Sequence, residues 1–519
     1  MVKGARAGAP AQSDNQARCL PPLFTRTDLR GKVLALRLAS VREPPGTGLY
    51  YRTVDSMPPI ERVAIIGLDC ADPGLVFDRW LDQLPNLRRL TQAGLFGPLE
   101  SCLPPITVPA WSCMACSKDP GTLGVYGFRN RRDWSYENLG IATNLEVRHP
   151  RMWDYIGRAG MSSILLGIPQ TFPILRPPRG CMVTGFLTPG VDSPYTHPPE
   201  LAGEIAELVG QYTFDVSDLR TQDKPWLLDR IRQMTAQRFQ VARHLASSRS
   251  WSLFWMVDMG IDRLHHGFWH FMDAQHRRHV PGDPLENAVR DYYIMVDQQI
   301  GELLKVLDEQ RTAIWVVSDH GAKRLDGGFC LNDWLIQQGL LVVKTPVLER
   351  RRFELADVDW ARTKVWGEGG YCGACYINRA GREPNGIVPE SEYETLRDEL
   401  IAKLEALTDP AGLPMGNRAY RPGSLYTELR GCPPDLLVLF GDLHWRSVGT
   451  IGNSSLHVFE SETGADAANH AREGLYILSH DSLPRGRQPA SLYDVLPTTL
   501  DLFDAPIPRG LRGSSLMVR

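Results

Sequence analysis

Arg62-Val-Ala-Ile-Ile-Gly-Leu68 is a short, almost unbroken apolar run that stops on a carboxylate, Asp69. A strand buried on both faces reads this way, because neither side of it meets water. Helical spacing follows through Leu75, Trp80, Leu84, Leu87 and Leu90. The same grammar returns downstream. Ser252 to Val257 is strand-like and ends at Asp258, and Ala313 to Val317 is another apolar strand, ending in Ser318-Asp319-His320-Gly321. Between them Pro284 to Leu307 has the period of a long amphipathic helix, with Asp283 placed to cap it and Pro284 at its first position. Asp435 to Phe440 and Leu475 to Leu478 read as two more strands, and Leu492 to Phe503 as a closing helix. Strands alternating with helices predict an α/β fold with a mostly parallel central sheet and helices on both faces. In such sheets ligands gather at the carboxyl ends of the strands. Asp69 and Asp319 fall at such ends.

Outside this frame, residues 1–58 are rich in Gly, Pro, Arg and Ala without sustained periodicity. They read as a disordered leader, or as a start set too far upstream with Met57 the true initiator. The catalytic domain is expected over 59–515. Two stretches interrupt its pattern, about 150–229, dense in Pro and Gly, and about 345–430, with a helix over Glu390 to Leu407 and a hairpin around Tyr371 to Ile377. Both are expected to be cap insertions over the active face.

The chain has 519 residues, 43% hydrophobic and 23% charged, with a formal net charge of −3. That balance is ordinary for a globular protein and points to no nucleic-acid polymer or membrane surface as partner. No apolar run reaches the length of a membrane span, and Arg37 interrupts the one stretch that resembles a signal-peptide core. The expected compartment is the cytoplasm. Of ten cysteines, Cys113/Cys116 and Cys372/Cys375 form Cys-x-x-Cys pairs. Their apolar neighbours mark them as packing thiols rather than as a shared zinc site.

Four motifs carry chemistry. In Ser318-Asp319-His320-Gly321 an adjacent carboxylate and imidazole at a strand end can reach one cation; a capped turn with a surface histidine is the competing reading. In Asp262-Arg-Leu-His265-His266 a helix would put Asp262 and His266 on one face, with Arg263 free to pair with a carboxylate or phosphate. The nearby His270, Asp273, His276 and His279 read as solvated helix surface. In Pro104-Pro-Ile-Thr107-Val-Pro-Ala-Trp111 the threonine is held extended before a helix starting near Pro109. Such a threonine is either an N-cap or a nucleophile beside a phosphate-binding helix end. Asn469-His470 is the fourth, and a lone loop histidine decides nothing by itself.

Together, and in this order, these segments resemble the alkaline phosphatase superfamily, and within it the type I phosphodiesterase/nucleotide pyrophosphatase group and bacterial phosphohydrolase- or phosphomutase-like proteins. The resemblance runs from about Arg62 to Gly513. It includes Gly67-Leu-Asp69-Cys-Ala-Asp72, Leu84-Pro-Asn-Leu87, Gly185-Phe-Leu-Thr-Pro189, Asp262-Arg-Leu-His-His266-Gly-Phe-Trp269 and Asn378-Arg-Ala-Gly-Arg382-Glu-Pro. It implies an alkaline phosphatase-like core and two divalent cations, zinc by its donor set, with manganese or iron as alternatives. Asp69, Asp319, His320 and the Thr107 oxygen would hold one, and Asp262, His266 and His470 the other. Thr107 would be the nucleophile, forming a covalent phospho-threonine on a small phosphate-ester substrate.

The sequence departs from the group at one informative place. An asparagine that donates to a phosphoryl oxygen is expected about twenty residues after the nucleophile, and Phe128 stands there, with Arg129 and Asn130 beside it. These three are the candidate substrate contacts, and Arg131 and Arg132 nearby read as surface charge. Phosphodiesterase or pyrophosphatase activity is therefore the expectation. A phosphomonoesterase, a phosphotransferase or phosphomutase on a small metabolite, and a non-catalytic phosphate- or metal-binding protein are its competitors. A sulfatase is excluded, because Thr107-Val-Pro-Ala-Trp lacks the Cys or Ser that becomes formylglycine.

Overall fold

Residues 60–459 and 466–518 are described by the computed structural model. The leader expected over residues 1–58 lies outside the described residues. In chain order the main strands are β1 (Arg62–Leu68), β2 (Gly94–Glu100), β3 (Ser163–Ile168), β4 (Gly180–Thr184), β5 (Leu253–Asp258), β6 (Thr312–Val317) and β7 (Glu473–Ser479). The helices that matter are α1 (Pro85–Gln92), α2 (Thr107–Cys116), α3 (Met152–Arg158), α4 (Lys224–Ser248), α5 (Gly260–Met272), α6 (Ala288–Leu304), α7 (Glu390–Glu405) and α8 (Val495–Leu502).

The strands form one sheet in the order β2-β7-β6-β1-β5-β3-β4, with short edge strands beyond each end. The run from β6 to β4 is parallel throughout, and β7 is antiparallel to both β6 and β2. The continuous apolar run of β1 is explained by two cores rather than one. Val63 and Ile65 face a layer containing Val108 and Trp111 of α2, Trp153 of α3 and Leu496 of α8. Ala64, Ile66 and Leu68 face the opposite layer, with Leu87 of α1, Phe239 of α4, Leu264 of α5 and Tyr292 of α6. Alternate side chains thus enter different layers, and no position is left for a polar residue.

Gly67 sets how closely α2 can lie on the sheet. A Cβ there would stand 2.6 Å from the Trp111 ring, 2.8 Å from a Val257 methyl and 2.9 Å from the Met256 carbonyl oxygen. Gly67→Ala is expected to cost about 1–3 kcal/mol as α2 is pushed off β1, read as a lowered midpoint in urea.

Several expectations need correction. The 150–229 stretch is no cap: β3 and β4 lie inside it and extend the central sheet beside β5. Most of its Pro and Gly residues sit in the connections, and their density masked a six-residue and a five-residue strand. Leu436–Leu439 is a strand, but it belongs to a separate antiparallel sheet with Val365–Glu368, Gly373–Ile377 and Arg418–Tyr420. The helix expected from Pro284 begins only at Ala288, because Asp283 caps a turn instead, its carboxylate accepting from Leu285 N at 2.8 Å.

The stretch about 345–430 contributes to a third apolar core, built by Phe329, Trp334, Trp366, Ile377, Leu400 of α7 and Val438. A hairpin of Arg129–Arg131 with Leu139–Ile141 straps the main domain to it. Tyr136 stacks on Trp360 at 3.6 Å and donates to Asn378 Oδ1 at 2.7 Å. Arg131 forms a buried ion pair with Glu383 at 3.1 Å, so it is an anchor and not surface charge. The described cysteines are buried free thiols, and burial pushes Cys116, Cys372 and Cys375 up to about 12. No helix among the described residues is long and apolar enough to cross a membrane.

Candidate active site

β1 lies between β6 and β5, and the carboxyl ends of these three strands deliver the first group of side chains. Asp69 follows β1, and its backbone N–H is bound by Asp258 O at the end of β5. Asp319 and His320 follow β6. The chain then turns into Gly321–Arg324, which pairs antiparallel with Ala468–Ala471, placing Ala322 opposite His470. Gly321 is required there, because a Cβ would meet the Glu473 carbonyl oxygen at 2.2 Å. This two-stranded pairing brings the distant His470 onto His320, with ring centroids 3.9 Å apart and planes at 16°.

α5 supplies the second group. Asp262 and His266 share a face, with His266 Nε2 3.4 Å from Asp262 Oδ1 and His470 Nε2 3.6 Å from the same oxygen. His265 points the other way, toward the Tyr293 hydroxyl at 3.2 Å, and burial pushes it down to about 3. The expected solvated histidines are not all solvated: His270 and His276 are buried, their rings 5.7 Å apart, since α5 ends at Met272 and the following loop folds back.

Thr107 opens α2 itself, two residues earlier than expected, and its Oγ lies 3.4 Å from His320 Nε2. Trp111, one helical turn on, donates its indole N–H to Asp69 Oδ2 at 2.7 Å. The i, i+4 spacing of Thr107 and Trp111 therefore ties the threonine helix to the carboxylate of β1.

The polar atoms converge in a way that hydrogen bonding alone does not satisfy. Asp69 Oδ1, Asp262 Oδ1 and Asp319 Oδ2 are buried oxygens with no hydrogen-bond partner. Each of the three imidazoles uses Nδ1 on an oxygen: His320 on Gly321 O, His470 on Pro105 O at 2.7 Å, and His266 on Asp466 at 2.8 Å. A carbonyl can only accept, so in His320 and His470 Nδ1 carries the proton and Nε2 presents a lone pair. His320 Nε2 then faces Asp319 Oδ2 at 3.3 Å, acceptor against acceptor.

The electrostatics agree. Burial and the neighbouring carboxylates hold Asp69 and Asp319 well above the usual carboxylate range. Burial likewise pushes His320 down to about 4, and burial with the adjacent His320 keeps His470 low. For Asp262 burial is outweighed by His266 and Arg263, which hold it low; for His266 burial is outweighed by Tyr371, Asp466 and Asp262, which hold it high. Unpaired buried carboxylates facing imidazole lone pairs fit a divalent cation. Two overlapping sets have ligand atoms within 4.8 Å of one another: Asp69, Asp319 and His320, and Asp262, His320 and His470. His266 joins the second set through Asp262, while its Nε2 is met by the Tyr371 hydroxyl at 3.3 Å.

Of the candidate substrate contacts, only Phe128 lines the adjacent cleft. That cleft has a volume of about 670 Å³ and is also lined by Phe186, Asp215, Arg263 and Tyr371. Phe128 meets Phe186 edge-on at 5.9 Å. Asn130 is corrected to a structural role: its amide accepts from Tyr126 N at 2.7 Å and donates to Gly127 O at 3.0 Å. Arg129 is exposed and does not line this cleft. Arg263 is committed to carboxylates, Asp215 at 2.7 and 3.1 Å and Asp262 beside it. Among the aromatics of the 150–229 stretch, Tyr195 is core, against Tyr212 and Phe214, and Trp226 is 40% exposed on α4.

Asp466 was missed by sequence reasoning. It is buried beside His266, and Arg220 approaches it at 3.5 Å. Its one signal is its place four residues before His470 in Asp466-Ala-Ala-Asn-His470. Asp466→Asn is expected to weaken cation binding about 10–100-fold by freeing the His266 ring, measured by competition with a chromogenic chelator.

The type I phosphodiesterase/nucleotide pyrophosphatase family model matches residues 63–470. No match was found among curated proteins. Among solved structures the chain resembles murine ectonucleotide pyrophosphatase/phosphodiesterase 5, an inactive variant in complex with AMP. That likeness has 12% identity and a TM-score of 0.51, covering 88% of this chain and 98% of that one. The human ectonucleotide pyrophosphatase/phosphodiesterase 5 gives 11% identity and a TM-score of 0.50, covering 87% and 97%. At such identities the likeness speaks for the fold alone: a mostly parallel central sheet flanked by helices, shared with these ectonucleotide pyrophosphatase/phosphodiesterases. With the family model spanning most of the chain, from β1 to His470, this protein belongs to the type I phosphodiesterase/nucleotide pyrophosphatase family of hydrolases.

Proposed function

We propose that the chain hydrolyses a small phosphate ester, of phosphodiester or pyrophosphate type, through a covalent intermediate on Thr107. The observation that carries this reading is the convergence of three unpartnered carboxylate oxygens and the histidine Nε2 atoms beside the Thr107 hydroxyl. Asp69, Asp319, His320 and Thr107 Oγ would hold one divalent cation, and Asp262, His266 and His470 the other; mixed carboxylate and imidazole donors suit zinc. When bound, such ions would stabilise an alkoxide, offset phosphoryl charge and lower the pKa of a water to about 7.

The chain's own residues do the rest. Thr107 Oγ gives up its proton and forms a bond to phosphorus as the bond to the leaving oxygen breaks, and that oxygen departs protonated as an alcohol or phosphate; water then cleaves the Thr107–phosphorus bond, which releases the phosphomonoester and restores the hydroxyl. Thr107 opens α2, so the N–H groups of the first turn point toward the phosphoryl oxygens, and Pro109 has no N–H there to leave unsatisfied. Trp111 holds Asp69 in register with the threonine. The organic part of the ester occupies the cleft beside Phe128, Phe186 and Tyr371.

The test offers zinc- or manganese-loaded protein p-nitrophenyl phosphate, bis-p-nitrophenyl phosphate and p-nitrophenyl nucleotide esters. Higher kcat/KM on the diesters is expected. A clear preference for the monoester would sink the diesterase reading, and no turnover of any ester would sink the hydrolase reading altogether.

A further inference from the structure

Tyr371 stands over the histidines of the site. Its ring stacks on His470, with centroids 4.1 Å apart and planes at 29°, and more loosely on His266 at 5.3 Å. Asn469 pins the same loop, its amide reaching the Tyr371 carbonyl at 3.3 Å and the Leu443 carbonyl at 2.7 Å. Among the described residues the phenol's hydrogen bond is to His266 Nε2, at 3.3 Å. A bound cation would take the lone pair of that nitrogen, so in the loaded site the O–H is free for an acceptor other than His266.

The cleft around Tyr371 is short of donors for a bound phosphoryl group. Phe128 and Phe186 offer no donor, Asn130 is turned away, and Arg263 is committed to Asp215 and Asp262. Arg220 leans on Asp466. A phosphoryl group beside Thr107 brings oxygens that gain negative charge as the reaction proceeds. We propose that Tyr371 is a catalytic residue whose O–H donates to a non-bridging oxygen of the phosphoryl group attacked by Thr107. The ring is clamped between imidazoles and loop, so the donor is in place before the charge develops, which is where a hydrogen bond favours the transition state over the ground state. No proton is transferred; the phenol stays neutral throughout.

This inference rests on the phosphohydrolase reading above, and the experiment separates the two. Tyr371→Phe keeps the ring and its stacking and deletes only the hydroxyl. With the metal-loaded enzyme, kcat/KM is expected to fall on the order of 10²-fold, mostly in kcat. Inhibition by orthovanadate, which mimics the five-coordinate phosphorus, is expected to weaken in step, with metal content and thermal midpoint unchanged. An unchanged kcat/KM and vanadate inhibition constant would overturn the proposal while leaving the hydrolase reading intact. A Tyr371→Phe chain that lost its metal or unfolded would overturn it too, because the hydroxyl would then be holding the site and not the substrate. If the parent chain turns over no phosphate ester at all, it is the hydrolase reading that falls.

Discussion

Thr107→Ala is expected to lower turnover of the best ester by on the order of 10⁴-fold or more, the scale on which removing a nucleophile acts when its supporting groups remain. The same change should barely touch the fold. Thr107 is buried, but among the described residues its hydroxyl makes one hydrogen bond, 3.4 Å from His320 Nε2, and it sits in the first turn of α2 where alanine is well tolerated. Losing that contact costs about 1 kcal/mol, partly offset by helix propensity. The expected outcome is therefore inactive protein with a near-normal thermal midpoint. Thr107→Ser should keep a measurable fraction of the rate, since it retains the hydroxyl. Rapid acid quench with ³²P-labelled substrate should trap label on the parent chain and none on Thr107→Ala. Normal turnover by metal-loaded Thr107→Ala would show that water attacks phosphorus directly and that the threonine only caps its helix.

The residues of the candidate site were legible in the sequence because most are short-range features attached to an element end. Asp69 and Asp319 follow apolar strands, and the parallel pairing of β6 and β5 on either side of β1 brings such ends together. Asp262 and His266 are four apart on one helix. His470 is different in kind. Nothing local in Asn469-His470 marks it, and only the family resemblance put it forward; the fold delivers it through a pairing between Gly321–Arg324 and Ala468–Ala471, segments nearly 150 positions apart. Asp466 and the stacking of Tyr371 were out of reach for the same reason, since both depend on how a loop lies over α5.

The errors have a common physical origin as well. Pro and Gly density measures connections, and between Pro150 and Asp229 the connections are long enough to hide β3 and β4. Asn130 was a reasonable donor by position, yet an amide in a tight turn satisfies its own backbone first, as its bonds to Tyr126 N and Gly127 O show. Arg131 was read as surface charge because sequence gives no view of Glu383, 252 positions away, which pairs with it in the interior.

Asp319→Asn is expected to act in opposite directions with and without metal. In chelated protein the Asp319 carboxylate is buried, its Oδ1 accepts from Cys70 N at 3.2 Å, and its Oδ2 faces the lone pair of His320 Nε2 at 3.3 Å. An amide at this position keeps the first bond and turns the second contact into a donor–acceptor pair, which should raise stability by about 1–3 kcal/mol. Burial and Asp69 hold the carboxyl well above its ordinary value, so the folded state binds its proton more tightly than the unfolded chain. Its favourable contribution is complete below the unfolded pKa of about 3.9 and is lost as pH rises toward the folded value. The amide does not titrate. The difference in thermal midpoint between chelated variant and chelated parent should thus be smallest at acid pH and widen toward neutrality. Zinc reverses the order: the parent gains about 2.7 kcal/mol when the free ion exceeds its Kd a hundredfold, while the variant, short of a charged ligand, gains less and loses activity. A chelated variant less stable than its parent at pH 8, or one that still held two ions with full turnover, would remove Asp319 from the cation site.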